Sequence, residues 1–443
     1  MNIQLSDHFT YGRLLRFTFP TIVMMIFTSI YGVVDGIFVS NYAGKTAFAA
    51  INLIMPYLMI FGVIGFMIGA GGTALISMTL GMGNHKKAND IFSLLTYAAV
   101  IGAVVLTAVS IAFLRPAAIL LGATGQILED CVTYGSLVQL ALPAYVLQYA
   151  FQSFCITAEK PNLSLTMMVA AGICNIVLDA LFVAVFRWGL VGAAVATAIA
   201  QYLGAVIPII YFLRPNDSLL RLGRCSLDGK ALLRTCTNGA SELMSNISMS
   251  LVGMLYNLQL IQYAGEDGLA AYGVIMYVNF IFMSVFIGFV IGGAPIIGYN
   301  YGAENHLELQ NIFRKSLVLV GIFAAIMTGA ALVMACPLAN IFVGYDPDLV
   351  EMTTRGFIIY SLSFLLSGFN FFGSSLFTAL NNGLVSAVIS FVRTVICQIA
   401  AVMLLPIIFG LDGIWWSIVA AELAALILTI LCFVKFKGRY HYM

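Results

Sequence analysis

An all-α integral membrane protein of twelve transmembrane helices, arranged as two pseudo-symmetric six-helix bundles related as parallel repeats, is the fold that this sequence predicts. Three observations lead to it: a charge-poor composition, twelve apolar runs of membrane-spanning length, and a gapless internal repeat. Of 443 residues, 20 Lys plus Arg and 19 Asp plus Glu leave only 9 % charged, while 61 % are hydrophobic and the mean hydropathy is +1.01. Soluble domains carry about 25 % charged residues, and no soluble interior hides this much apolar surface. The same numbers exclude a disordered or coiled-coil chain. A net charge of +1 offers no basic footprint for nucleic acid.

The first polar stretch, 1–13, precedes a long apolar run, which fits a first membrane helix and not a cleaved leader. Apolar runs follow near 14–37, 48–78, 92–114, 131–154, 162–186 and 190–213. After a polar stretch at 214–237 with five Arg and Lys, a second set lies near 240–262, 269–299, 315–341, 355–379, 384–409 and 413–434. Each is long enough to cross a hydrocarbon core about 30 Å thick. The expected organisation is therefore a first lobe at 1–213, a linker loop at 214–237 and a second lobe at 238–443. With both termini on one side, 15 Lys and Arg fall on that side against Lys45, Arg115, Arg187 and Arg355 on the other. The positive-inside rule then puts both termini in the cytoplasm.

The segments 42–92 and 263–313 align without a gap at an offset of 221, with 17 of 51 positions identical. Tyr42/Tyr263, Gly44/Gly265, Gly81/Gly302, Asn84/Asn305 and His85/His306 are identities that apolar composition does not explain, and Pro116/Pro337, Gly135/Gly356, Gly189/Gly410 and Gly192/Gly413 keep the offset. This is an internal repeat. An even number of spans per half makes the halves parallel, and two bundles about one axis enclose the central cavity typical of secondary transporters. A channel needs a filter ring or pore-lining charges, and an enzyme needs a nucleophile or metal constellation. Neither pattern is present. The eight Cys are scattered without a CxxC pair and the four His lie in polar connections, so neither a disulfide framework nor a zinc or His-based metal site is expected.

Five ionisable residues fall within spans: Asp35, Asp179, Glu242, Arg393 and Glu422. Each would cost about 3 kcal/mol or more facing lipid, so each is expected to face protein or a watery cavity. Asn175 and Asp179 are spaced i, i+4 in span five, as are Tyr31 and Asp35 in span one. Span six is rich in small residues that permit close helix contact, which would bring Thr197 beside Asp179. Two carboxylates, an amide and a hydroxyl form an oxygen-rich cluster suited to Na+ or to a shared proton. Solvation of Asp35 near a span end, or capping by Asp179 within its own bundle, is the plainer alternative. At offset 221 the cluster becomes Tyr256, Ile396, Ala400 and Ile418, so it belongs to the first half alone.

Candidate substrate-cavity residues are Tyr31, Gln148, Gln152 and Gln201, each sharing a helical face with another polar position. Glu422 is the repeat counterpart of Gln201 and is expected to line the cavity and attract cations. Glu242 and Arg393 could pair, and a pair that only stabilises the second bundle is as plausible as a functional one. Abundant Phe, Tyr and Met could give a cavity flexible apolar walls, although most of them face lipid or pack between helices.

With Pro20 followed by VVDGIFVSNYAG (33–44), NIVLD (175–179) and GLVGAAVAT (189–197), the whole chain resembles the multidrug and toxic compound extrusion (MATE) transporters, in the bacterial branch that includes DNA-damage-inducible and staphylococcal-type efflux proteins. The resemblance implies export of drugs, often organic cations, in exchange for Na+ or H+, with no other cofactor, by a monomer in a bacterial cytoplasmic (inner) membrane. It implies a cation site of Asp35, Asn175, Asp179 and Thr197, with Tyr134 nearby, and makes Pro20 the proline that permits bending of span one. Some relatives carry a second-lobe acid in span seven; NISMSLVGMLYN at 246–257 has none. A lipid-linked oligosaccharide flippase of the wider superfamily is the rival expectation; it typically has further spans and a more cationic cavity.

Overall fold

Membrane helices must satisfy every backbone group internally, and the chain does so along nearly its whole length. The computed structural model describes residues 3–38, 42 and 44–443; the tail of the span-one motif, at 39–41 and 43, lies outside them. The first bundle comprises α1 Tyr11–Phe38, α2 Lys45–Gly81, α3 His85–Leu120, α4 in two halves Gly125–Leu140 and Leu142–Thr157, α5 Pro161–Asp179 extended by a π-turn segment Ala180–Val185, and α6 Gly189–Leu213. In the second bundle the continuous stretch Gly229–Gly302 breaks at Gly265 (φ 62°, ψ −145°) into α7 (229–264) and α8 (266–302). It continues with α9 His306–Val343, α10 Pro347–Ser361 and Phe364–Ala379 inclined at 44°, α11 Gly383–Phe409 through a π segment Val392–Cys397, and α12 Leu411–Tyr440. Twelve helical passes are thus present among the described residues, as the hydropathy pattern predicts. The irregular linker is shorter than the polar stretch implies, because Asp228 accepts from the Lys230 and Ala231 amides and starts α7 at Gly229.

The repeat is visible in the backbone. Gly44 and Gly265 both have positive φ, as do Gly189 and Gly410, which explains why these turns keep glycine. Asn84 and Asn305 each cap the following helix by accepting an amide three residues on. Both α4 and α10 break at offset-related points, Ala141 and Leu362.

The two bundles differ in their cores. The second holds one continuous apolar core in which Phe286, Phe313, Phe364, Phe377 and Trp415 are fully buried. The first splits into an inner cluster around Phe92, Phe151, Phe154 and Phe212 and an outer one around Ile54, Leu58, Leu114 and Tyr134. A cavity of about 240 Å³ lies between them.

The bundles meet most closely through the halves of α1, α2, α7 and α8 nearest the termini, where glycine makes the contact possible; further along, the Ser29 hydroxyl of α1 donates to the Phe280 carbonyl of α8 at 3.4 Å. A Cβ on Gly81 would lie 2.0 Å from the Tyr299 carbonyl oxygen, and one on Gly302 would lie 2.0 Å from that of Met78. Gly71 and Gly239 meet the carbonyls of Thr235 and Met67 equally closely. On α1, the Thr21 hydroxyl donates to the Gly288 carbonyl at 2.8 Å.

Candidate functional site

The cavity of the first bundle is built by helices drawn together at glycines. Gly172 of α5 sits so close to α1 that a Cβ there would come within 2.5 Å of the Phe27 ring and 3.3 Å of Tyr31. Phe27, Tyr31 and Asp35 follow one helical face, as do Gly172, Asn175 and Asp179, so the contact carries outward until the two aspartates meet. Their carboxyls lie within hydrogen-bonding reach of each other. Asp179 is completely buried, and both of its carboxyl oxygens, with Oδ1 of Asp35, are buried without a hydrogen-bond partner among the described residues. Beside them the Asn175 amide donates to the Thr197 hydroxyl at 3.5 Å. Tyr134 of α4, only 3 % exposed, stands within electrostatic range of both aspartates. The five residues named from the sequence therefore come from four helices to one place.

Asp35, Tyr134, Asn175 and Thr197 line the cavity wall, with Asp179 behind them. Of the candidate substrate residues, Tyr31, Gln148 and Gln201 also line it. Gly204, one turn beyond Gln201, makes room for Gln148, whose side chain a Cβ there would meet at 2.7 Å. Gln152 does not line it: it is 2 % exposed, and its amide points to the Met25 sulfur at 3.4 Å. One turn from Gln148 is enough to carry it into the inner core.

Glu422 also stands elsewhere than expected. It is 1 % exposed inside the second bundle, where Arg393 Nε donates to its Oε1 at 2.9 Å and Oε2 at 3.1 Å, and Nη2 lies 2.8 Å from Oε1. The Asn370 amide donates to Oε2 at 2.8 Å, Thr429 in turn donates to Asn370, and the Phe371 ring lies 4.0 Å from the guanidinium. The charge is neutralised locally, so Glu422 presents no attraction to a cationic substrate. Arg393 pairs with Glu422 and not with Glu242; the π segment containing Arg393 directs it towards α12. Pro20 lies within α1, one residue before the Thr21 contact to α8.

Sequence reasoning missed Gln139, Tyr145, Tyr149, Met55 and Met59, all of which line the cavity. The Tyr145 and Tyr149 rings lie 4.6 Å apart with their planes inclined at 51°, and Tyr149 lies 4.2 Å from Phe66. Their signal was the pair of glycines facing them: a Cβ at Gly62 would strike the Tyr145 ring at 2.6 Å, and one at Gly65 the Val146 carbonyl at 2.8 Å.

The MatE family model matches residues 20–181 and 243–404, one stretch in each bundle. The chain is 25 % identical over 426 residues to the multidrug export protein MepA of Staphylococcus aureus, covering 95 % of this chain and 94 % of that one. It is 26 % identical over 423 residues to MepA of Staphylococcus saprophyticus, covering 94 % and 93 %. Among solved structures, one described as the outward-facing conformation of a multidrug resistance MATE family transporter of the MOP superfamily superposes with a TM-score of 0.93 at 20 % identity, over 100 % of this chain and 99 % of that one. A crystal structure of MATE in complex with MaL6 also reaches 0.93 at 20 % identity, over 98 % of each. Twelve apolar passes, the two-bundle layout and a family model that matches both halves make this multi-pass membrane protein a member of the MatE family, the MATE transporters.

Proposed function

We propose that this transporter exports drugs, chiefly organic cations or amphipaths, in exchange for Na+ or H+, and that Asp35 and Asp179, with Asn175, Thr197 and Tyr134, take the coupling ion. The carrying observation is the aspartate pair: two carboxyls in mutual reach, one at the cavity wall and one buried behind it, with three buried oxygens that lack a donor among the described residues. Such a pair needs a shared proton or a cation between its members, and the neighbouring amide and hydroxyl oxygens suit a hard cation. The aromatic and Met-lined wall of the same cavity suits flat, varied, positively charged ligands. Relatives carrying the name multidrug export protein support the substrate class.

Because Asp35 borders both the ion pair and the open cavity, ion and substrate compete for one wall. With the bundles sealed near the termini, the cavity faces the other side; rocking the bundles would present it at the terminus side. We take that side as cytoplasmic from the distribution of Lys and Arg. An ion entering with one charge contributes about 2.3 kcal/mol per 100 mV, enough for roughly 50-fold extrusion of a neutral substrate at 1.4 kcal/mol per tenfold.

The experiment is transport in proteoliposomes against separately imposed Na+ and pH gradients. One gradient should drive uptake of ethidium into inverted vesicles, and Asp35→Asn with Asp179→Asn should abolish that dependence. Gradient-driven transport at the parental rate in the double variant would end the assignment.

A further inference from the structure

We propose that the segment 3–10 is a latch on the terminus-bearing face, and that its catch is the Glu159 carboxylate, which must let go of the Leu5 amide before the bundles part there. The proposal rests on the alternating-access reading above. The segment is not helical, yet Leu5 and Phe9 are completely buried in the core of the second bundle. Phe9 donates its amide to Glu308 Oε1 at 2.8 Å, and its carbonyl accepts from Asn311 at 3.0 Å and Lys315 at 2.7 Å. His8 Nδ1 lies 2.6 Å from Glu308 Oε2, and the Leu5 carbonyl accepts from Asn300 at 3.4 Å. All of these partners belong to α8 and α9.

The strap runs on into α1, where Arg13 donates to the His8 carbonyl at 3.1 Å and Phe17 packs edge-on against Phe9; beyond α1, one hydrogen bond among the described residues reaches the rest of the first bundle. The Leu5 amide donates to Glu159 Oε1 at 2.6 Å, and Ile156, at the end of α4, joins the apolar cluster around Leu5 and Phe9. When the inner ends separate, a strap held on the second bundle by two buried side chains and five polar contacts stays there, and the bond to Glu159 on the α4–α5 turn gives way.

The backbone at Glu159 supports the assignment. It closes the turn between α4 and α5 at φ 60°, a left-handed conformation that glycine adopts freely and a side-chain-bearing residue does not. The turn alone would be better served by glycine, and among the described residues the one hydrogen-bond partner of the carboxylate that stands there is the strap.

This sets up a clean test, because Glu159→Gly relaxes the turn while removing the catch. Spin labels at Arg214→Cys and Lys435→Cys, exposed repeat counterparts at the inner ends of α6 and α12, report separation of the bundles by pulsed electron–electron distance measurement in a cysteine-free background. Conditions are chosen, by Na+ and pH, so that both a short and a long distance are populated. Loss of a charge-assisted hydrogen bond should then shift the ratio towards the long distance by roughly tenfold or more in Glu159→Gly. Glu159→Gln, which keeps an uncharged acceptor, should shift it less. The melting temperature of Glu159→Gly should equal or exceed that of the parent, which separates unlatching from misfolding. A parent that opens while Glu159→Gly leaves the ratio unchanged overturns the latch alone, as does a shift accompanied by a lowered melting temperature. A distance that stays short in both proteins under every gradient removes alternating access, and the latch with it.

Discussion

Placing a methyl group in the glycine contact between the bundles tests how the closed end is held shut. Alanine at Gly81 would put its Cβ 2.0 Å from the Tyr299 carbonyl oxygen, where ordinary contact begins at 3.4 Å, and Gly302→Ala meets Met78 in the same way. The obstructing atoms are backbone in both cases, so no side chain can rotate away; α2 and α8 must part by about 1.4 Å, the difference between those two distances. Overpacking of this kind costs about 1–3 kcal/mol, and it falls only on the state in which the helices touch. The closed-to-open ratio should therefore drop by roughly 5- to 150-fold, at 1.4 kcal/mol per tenfold. Because the two glycines are related by the repeat, the two variants should shift it by similar amounts. Gly293→Ala is the control: it lies on α8 beside the contact but has nothing within 4 Å of its Cβ position, and alanine favours helix by about 1 kcal/mol. The Arg214→Cys and Lys435→Cys spin-label pair reads all three. Parental distance distributions in both Gly81→Ala and Gly302→Ala, or an equal shift in Gly293→Ala, would refute the reasoning.

Two further outcomes follow from the second bundle. Removing one member of the Arg393–Glu422 pair, by Glu422→Gln or Arg393→Met, leaves a lone charge beside a nearly dry site and should cost about 3–5 kcal/mol, whereas Arg393→Met with Glu422→Met together should be close to neutral; thermal unfolding in detergent checks both. Where Glu422→Gln folds, its affinity for organic cations should match the parent, and a large loss would return Glu422 to the cavity. At the terminus-bearing face, burial pushes the Glu308 carboxyl up, but the Phe9 amide, the His8 ring and the Asn311 amide outweigh it and hold the group below the ordinary glutamate value. An acid lowered by folding contributes stability that is complete above its unfolded value, about 4.5, and is lost as pH falls through the folded one. Melting temperatures of the parent and Glu308→Gln should therefore converge as pH is lowered from about 5 towards about 3. A gap that stayed unchanged or widened over that acid range would contradict the sign.

How much of the site could be read in advance depended on whether its geometry was local. Asn175 with Asp179, and Tyr31 with Asp35, lie on single helical faces, and helical periodicity fixes that without any knowledge of neighbours. The absence of the cluster from the second half was equally legible, since offset 221 leads to Tyr256, Ile396, Ala400 and Ile418. Gln148 and Gln152 show the limit. They share a face by spacing, yet one reaches the cavity and the other the inner core, because a helix of the interior is surrounded on all sides and periodicity does not say which neighbour each side meets.

The twelve passes, the duplication, the turns at Gly44, Gly189, Gly265 and Gly410 and the caps at Asn84 and Asn305 depend on residues close together in the chain, since hydropathy, backbone freedom and end-capping act over a few residues. Which charges meet is a matter of packing. Arg393 is separated from Glu422 by 29 residues and from Glu242 by a whole set of helices, and composition ranks both acids alike; the π segment and the packing of α11 on α12 select Glu422. The same holds for the gap between the two apolar clusters of the first bundle, which exists because α1, α2, α4, α5 and α6 approach at glycines whose partners lie far away in the chain. Close approach between distant segments is a property of the assembled solid, where volume is excluded by whichever atoms happen to be near, and no local pattern encodes it.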